Sequence, residues 1–172
     1  LNATSAESGS SNNSFTGTAA TTTVFSVGSD SGVNGSSDTY VAYVFAEKLG
    51  FSKFGFYQGN GSTNGPMIYT GFKPGLVITK RTESAGAWIM MDNKRPTVNS
   101  VSIELNPINA LFEANTASAE ASSSSYNVDF LSNGFKIRNT NNVFNNSSGS
   151  YIYMAFAANP LVSSNGIPAT AR

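Results

Sequence analysis

The side chains able to do chemistry in this chain are limited in kind. There are no histidines and no cysteines. That excludes the commonest general base, any Ser-His-Asp triad, disulfides and thiolate metal sites. Carboxylates remain: Glu83, Asp92, Glu104, Glu113 and Asp129 could serve a glycosidase, which needs two of them facing one bond at a defined separation. Nothing in their spacing marks a pair, so they read as solvated surface groups and the chain as no enzyme, with no catalytic residue. Trp88, the only tryptophan, is followed by Asp92, Asn93 and Lys94. An exposed ring there could stack on a sugar while the polar groups bind its hydroxyls. The plainer reading puts Trp88, inside AWIMM, in a core between sheets. The loop Gly59 to Gly65 offers Asn60, Ser62 and Asn64 as a binding tip, since sandwich loops often carry recognition. An ordinary hairpin connection accounts for it equally, and without a following Gly-Lys-Ser/Thr it is no phosphate cradle. Asp30, Asp38 and the Asn-rich turns carry the oxygens that Ca²⁺ accepts. They lack D-x-D-x-D-G spacing, so Asx turns explain them better and neither metal nor cofactor is expected. Asn-x-Ser/Thr triplets such as Asn60-Gly-Ser62 arise by chance in so Asn- and Ser-rich a chain.

Positioning these groups falls to short strands. The chain of 172 residues suits one ordinary domain, or one domain with a fragment of a neighbour. Ten Lys and Arg balance ten Asp and Glu, so no global field draws in nucleic acid or an anionic membrane. Charged residues make up 12%, against roughly a quarter in typical domains, so Ser, Thr and Asn must carry the solvated surface. No stretch has the apolar length that crosses a bilayer, and the N-terminus shows no signal-peptide pattern. Leu1 to Thr23 is a low-complexity arm with Phe15 its one aromatic residue, too polar to offset its ordering entropy alone.

Strands are expected at Thr39 to Ala46, Pro66 to Phe72, Gly75 to Thr82, Ala87 to Met91, Val101 to Leu105, Tyr126 to Leu131, Phe135 to Arg138 and Tyr151 to Ala157, while Phe51, Phe54 and Phe56 lead into the Gly59 to Gly65 loop. Shorter ones are possible at Val24 to Val27 and Leu111-Phe112. Ser132-Asn-Gly134 reads as a hairpin turn with Asn-Gly at its tip. Ala110 to Ser122 is the only helical candidate and a poor one. Many short strands between Gly/Asn/Ser turns indicate an all-β antiparallel sandwich or jelly roll with an extended N-terminal arm. The boundaries read as 1–38 for the arm, 39–158 for the sandwich and 159–172 for a tail.

One segment occurs twice. VNGSSDTYVAYVFA (Val33 to Ala46) and FNNSSGSYIYMAFA (Phe144 to Ala157) align without a gap at an offset of 111 (Tyr151 minus Tyr40). Each is a polar turn feeding a strand that reads as buried on both faces. With no Pro, Gly, Lys or Glu in YVAYVFA or YIYMAFA, both are expected to be central strands, with Phe45 and Phe156 deeply packed. Two placements of the first copy stay open. It is the end of a preceding, similar unit, or the first strand of one domain lying beside the last.

The string FSKFGFYQGNGSTNGPMIYTGFKPGLVITKRT, with AWIMMDNKR, VDFLSNGFKI, SGSYIYMAFAANP and the ending NPLVSSNGIPATAR, resembles a module near the C-terminus of tail-fibre and other virion structural proteins of marine and cyanobacterial phages. The resemblance covers roughly Phe51 to Arg172 and includes the Tyr57 to Ser62 loop, the Gly71 to Pro74 turn and the closing Tyr151 to Phe156 strand. It implies a concanavalin-like (laminin G-like) jelly roll in a virion. The expected function is a non-enzymatic fibre or appendage part that contacts the host surface or neighbouring virion proteins as a homo-oligomer, best a trimer. A capsid decoration protein is the alternative, motivated by the arm. A polysaccharide-cleaving spike domain is the third.

Overall fold

The computed structural model describes residues 4–6, 14–15, 20–95, 106–162 and 168–169. The expected strand at Val101 to Leu105 lies outside them, as does much of the arm. Two compact units divide the chain: Glu7–Phe45, and Leu1–Ala6 together with Ala46–Arg172.

The larger unit is an antiparallel β-sandwich, as the spacing of turns predicts. Its strands are β1 (Ser52–Gln58), β2 (Met67–Tyr69), β3 (Pro74–Arg81), β4 (Ile89–Asp92), β5 (Ala110–Glu113), β6 (Ala121–Ser122), β7 (Val128–Leu131), β8 (Gly134–Ile137) and β9 (Ser150–Ala157). Six form one sheet in the order β1-β9-β3-β4-β5-β6, and three form the other in the order β2-β8-β7. A further short pair joins Leu161–Val162 to Pro168–Ala169.

The core follows from period-two alternation. Along β9 the buried side chains are Tyr151, Tyr153 and Ala155; along β4 they are Ile89 and Met91. The facing sheet contributes Ile68, Val128, Phe130, Phe135 and Ile137. Cross-strand register sets Val128 opposite Ile137 and Phe130 opposite Phe135, so those four share one face. On the inner face of the larger sheet Tyr57 stacks on its cross-strand partner Tyr151 at 4.9 Å, and across the two sheets Phe135 meets Tyr153 edge-on at 5.5 Å. Gly134 opens β8 because its neighbour β2 comes too close for a side chain. A Cβ there would lie 2.1 Å from the Ile68 carbonyl oxygen. The hairpin tip is therefore Ser132-Asn133, one residue earlier than the Asn-Gly expected. Ala110 to Ser122, the weak helical candidate, holds β5 and β6 instead.

The first member of the repeat behaves differently from its expectation. Tyr40 to Ala46 forms no strand, and Val41, Tyr43 and Val44 are 80, 83 and 72% exposed. Phe45 is 57% exposed, and Phe156 is half-buried on the outer face of its sheet, edge-on to Phe54 at 5.9 Å. Neither ring is in the core, because the inward positions of this pattern belong to the residues before them. Val24 to Val27 likewise forms no strand. The smaller unit holds a single helical turn, α1 (Ser31–Asn34), whose counterpart in the sandwich is α2 (Asn142–Asn145).

Candidate binding cleft

The β1–β2 loop is held in one shape by its own polar groups. The Asn60 side chain accepts from the Ser62 amide at 3.0 Å and donates to the Asn64 carbonyl at 3.0 Å; the Ser62 hydroxyl accepts from the Asn64 amide at 3.1 Å. From below, the fully buried Asn145 donates to the carbonyls of Ser62 (2.7 Å) and Asn139 (2.8 Å) and accepts from the Asn60 amide (2.8 Å). Asn145 is the last residue of α2, whose start Asn141 caps by accepting from the Val143 amide. The side chains of Asn60 and Ser62, two of the expected binding residues, are thus occupied in building the loop.

Beside that loop lies an open cleft of about 350 Å³ lined by Thr63, Asn64, Pro107, Asn127, Asp129 and Arg138. Asp129 on β7 and Arg138 just past β8 form an ion pair at 3.5 Å, with Arg138 the more exposed partner. Pro107 is held at the wall because the preceding Asn106 side chain brackets the Phe130 backbone, accepting from its amide at 2.8 Å and donating to its carbonyl at 3.0 Å. The Asn127 carbonyl oxygen receives the Arg138 amide and the Asn139 side chain, yet its side-chain Oδ1 is buried without a hydrogen-bond partner. A buried acceptor left without a partner costs about 1–3 kcal/mol, and this one is closed to the cleft as it is to water. The cleft thus offers a carboxylate, a guanidinium, amides and a hydroxyl, which is equipment for hydrogen-bonding a polyhydroxylated or similarly polar ligand. Its size falls at the small end of ligand pockets.

Of the expected binding residues, the structure brings only Asn64 to this cleft. Trp88, Asp92 and Asn93 sit together on and next to β4. Trp88 is half-buried, just ahead of the strand, with its amide bonded to the Asn115 side chain at 2.7 Å; it does not join the core cluster, correcting the plainer reading. Asp92 is taken by Arg95 at 2.7 Å, and Asn93 is 2% exposed. Asn93 is therefore a packing residue with no surface to offer a sugar.

The carboxylates singled out for catalysis serve local bonds. Glu83 meets Arg81 at 2.7 Å and accepts from the Ser150 amide at 3.0 Å. Burial pushes the Glu83 carboxyl up, but the Arg81 and backbone hydrogen bonds outweigh it and hold the group below its ordinary range. Glu113 accepts from Thr116, and Glu104 lies outside the described residues. Asp30 caps α1 through the Gly32 amide, the Asx role expected of it, and Asp38 stands 3.4 Å from the Tyr40 hydroxyl. Thr63, Pro107, Asn127 and Arg138 were not singled out by sequence. Only the β7–β8 register, which turns Asp129 and Arg138 to one side, could have gathered them.

The larger unit is thus an antiparallel two-sheet sandwich with a polar cleft beside one loop. The chain belongs to the family described as a domain of unknown function, DUF7483, whose model matches residues 1–160. No curated protein and no solved structure matches it.

Proposed function

We propose that the protein is a non-enzymatic structural and adhesive module of a bacteriophage virion, part of a tail fibre or related appendage, that holds a polar surface ligand such as a host glycan in the Asn127–Asp129–Arg138 cleft. The observation that carries this reading is the cleft itself: the Asp129–Arg138 ion pair beside amide and hydroxyl side chains, with one carboxylate among the lining residues where a glycosidase needs two. The resemblance of Phe51 to Arg172 to virion modules supplies the setting. Single-site binding through one small polar cleft is weak, and repetition across identical subunits of a particle raises it through effective concentration.

The test is inhibition of adsorption. Purified protein should compete with virions for host cells, and Asp129→Ala or Arg138→Ala should weaken binding to host surface polysaccharide about tenfold each, near 1.4 kcal/mol. Variants with unchanged stability and unchanged binding would rule out the cleft as the contact. Immunogold labelling on the capsid rather than the tail would transfer the module to decoration of the head. New reducing ends released from the polysaccharide would make it a hydrolase.

A further inference from the structure

The two members of the sequence repeat are the same structural device, and only one of them is closed. In the sandwich, the Tyr151 hydroxyl donates to the Asn142 carbonyl at 2.6 Å and accepts from the Asn146 amide at 2.8 Å. In the smaller unit the Tyr40 hydroxyl donates to the Ser31 carbonyl at 2.6 Å and accepts from the Gly35 amide at 2.7 Å. Adding 111 to each residue of the second set gives the first. Asn34 donates to the Gly28 carbonyl at 2.9 Å as Asn145 does to Asn139 at 2.8 Å. Asp30 caps α1 as Asn141 caps α2. Ser37 and Ser148 are the two described non-glycine residues at positive φ, 67° and 63°. So complete a match, down to a backbone conformation that serine rarely adopts, shows that the smaller unit is already shaped as the end of a sandwich.

What differs is the surroundings. Asn145 is fully buried under the β1–β2 loop, whereas Asn34 is exposed; Phe144 is 1% exposed, whereas Val33 is half-exposed. β9 pairs with β1 on one side and β3 on the other through all its length, while Tyr40 to Val44 has no ladder on either side. By equivalence with β9, Tyr40, Ala42 and Val44 are the inward positions and Val41 and Tyr43 the outward ones. A second copy of this chain is a poor recipient. Its own β9 fills the slot, and Ala42 would stand where the Tyr153 ring packs on Phe135, with Val44 where the fully buried Ala155 leaves room only for a methyl.

We propose that Gly28–Ala46 is the closing turn and strand of a second sandwich unit of this family, inserted between that unit's β1- and β3-equivalent strands. The recipient carries a larger side chain opposite Ala42 and a smaller one opposite Val44 than this sandwich does. The main chain supplies the ladder bonds and the alternate side chains the fit, as in strand addition generally. The inference is independent of the cleft.

Two measurements test it. In the first, Asn139–Ala157 of the full chain is replaced by Gly28–Ala46 carrying Val33→Phe, Ala42→Tyr and Val44→Ala, which restore the core residues of this sandwich, with a shuffled segment as control. The matched graft should give one cooperative melting transition and slow amide exchange along the grafted strand, and the unmatched graft a lower Tm. A matched graft no more folded than the shuffled control overturns the proposal. In the second, hydrogen exchange is followed at Val41–Val44 of the unaltered chain from low to high concentration. Fast exchange throughout is expected; protection that grows with concentration would make a second copy the recipient and overturn the proposal as stated.

Discussion

At the scale of single residues, the structure separates polar groups that hold the fold from those free to act. Asn145 has no exposed surface and joins three backbone segments, so Asn145→Ala should leave the Asn60 amide and two carbonyls without partners and cost about 3 kcal/mol in urea unfolding. Thr79 is the opposite case. It points into the core on β3, 2% exposed, with a hydroxyl that finds no partner. Thr79→Val keeps the shape and removes the stranded oxygen, and should stabilise by about 1 kcal/mol. A loss there would show that the hydroxyl is satisfied in solution. Neither residue is conspicuous in the sequence: each is one Asn or Thr among many, and its value depends on what lies above it in space.

At the scale of elements, strands were legible where alternation and turn chemistry agreed. β3, β4, β7, β8 and β9 lie within two or three residues of their expected places, because each carries inward aliphatic or aromatic residues between Gly, Asn or Pro breaks. Tyr40 to Ala46 has a composition similar to β9 and is not a strand, since a strand is a relation between segments and none of the described residues pairs with it. The cleft was illegible for a similar reason: Asn127, Asp129 and Arg138 are polar residues of an ordinary-looking hairpin until Pro107 and the β1–β2 loop close around them. An element-level prediction follows from Glu83, which ties the turn after β3 to the start of β9 through Arg81 and the Ser150 amide. Its carboxyl is held below the ordinary 4.5, so its contribution is present above that pH and is lost as pH falls through the lower, folded value. The urea midpoint should therefore drop between about pH 5 and pH 3, and Glu83→Gln should flatten that slope. An identical slope in both proteins would mean that other carboxylates carry the acid sensitivity.

At the scale of the whole molecule, the sandwich has a core of its own, while the described residues of the smaller unit bury little. Stability of the isolated chain should then reside almost entirely in the sandwich, and equivalent positions of the repeat should respond unequally to truncation. Tyr153 is 6% exposed, with its ring against Phe135. Tyr153→Ala opens a cavity between the sheets and should cost about 3–5 kcal/mol. Its repeat partner is already an alanine, so the fair comparison on the other side is Tyr43, 83% exposed. Tyr43→Ala should stay within about 0.5 kcal/mol, as surface changes do. Tyr151→Phe and Tyr40→Phe make a finer pair, because both hydroxyls make the same two bonds. The first removes them from a residue with no exposed surface, and the second from one 46% exposed, where water can replace them. Losses of about 2 kcal/mol for Tyr151→Phe and under 1 kcal/mol for Tyr40→Phe are expected. Equal losses would mean that the smaller unit is cooperatively folded with the sandwich, and that Tyr40 to Val44 is covered in solution even in the isolated chain.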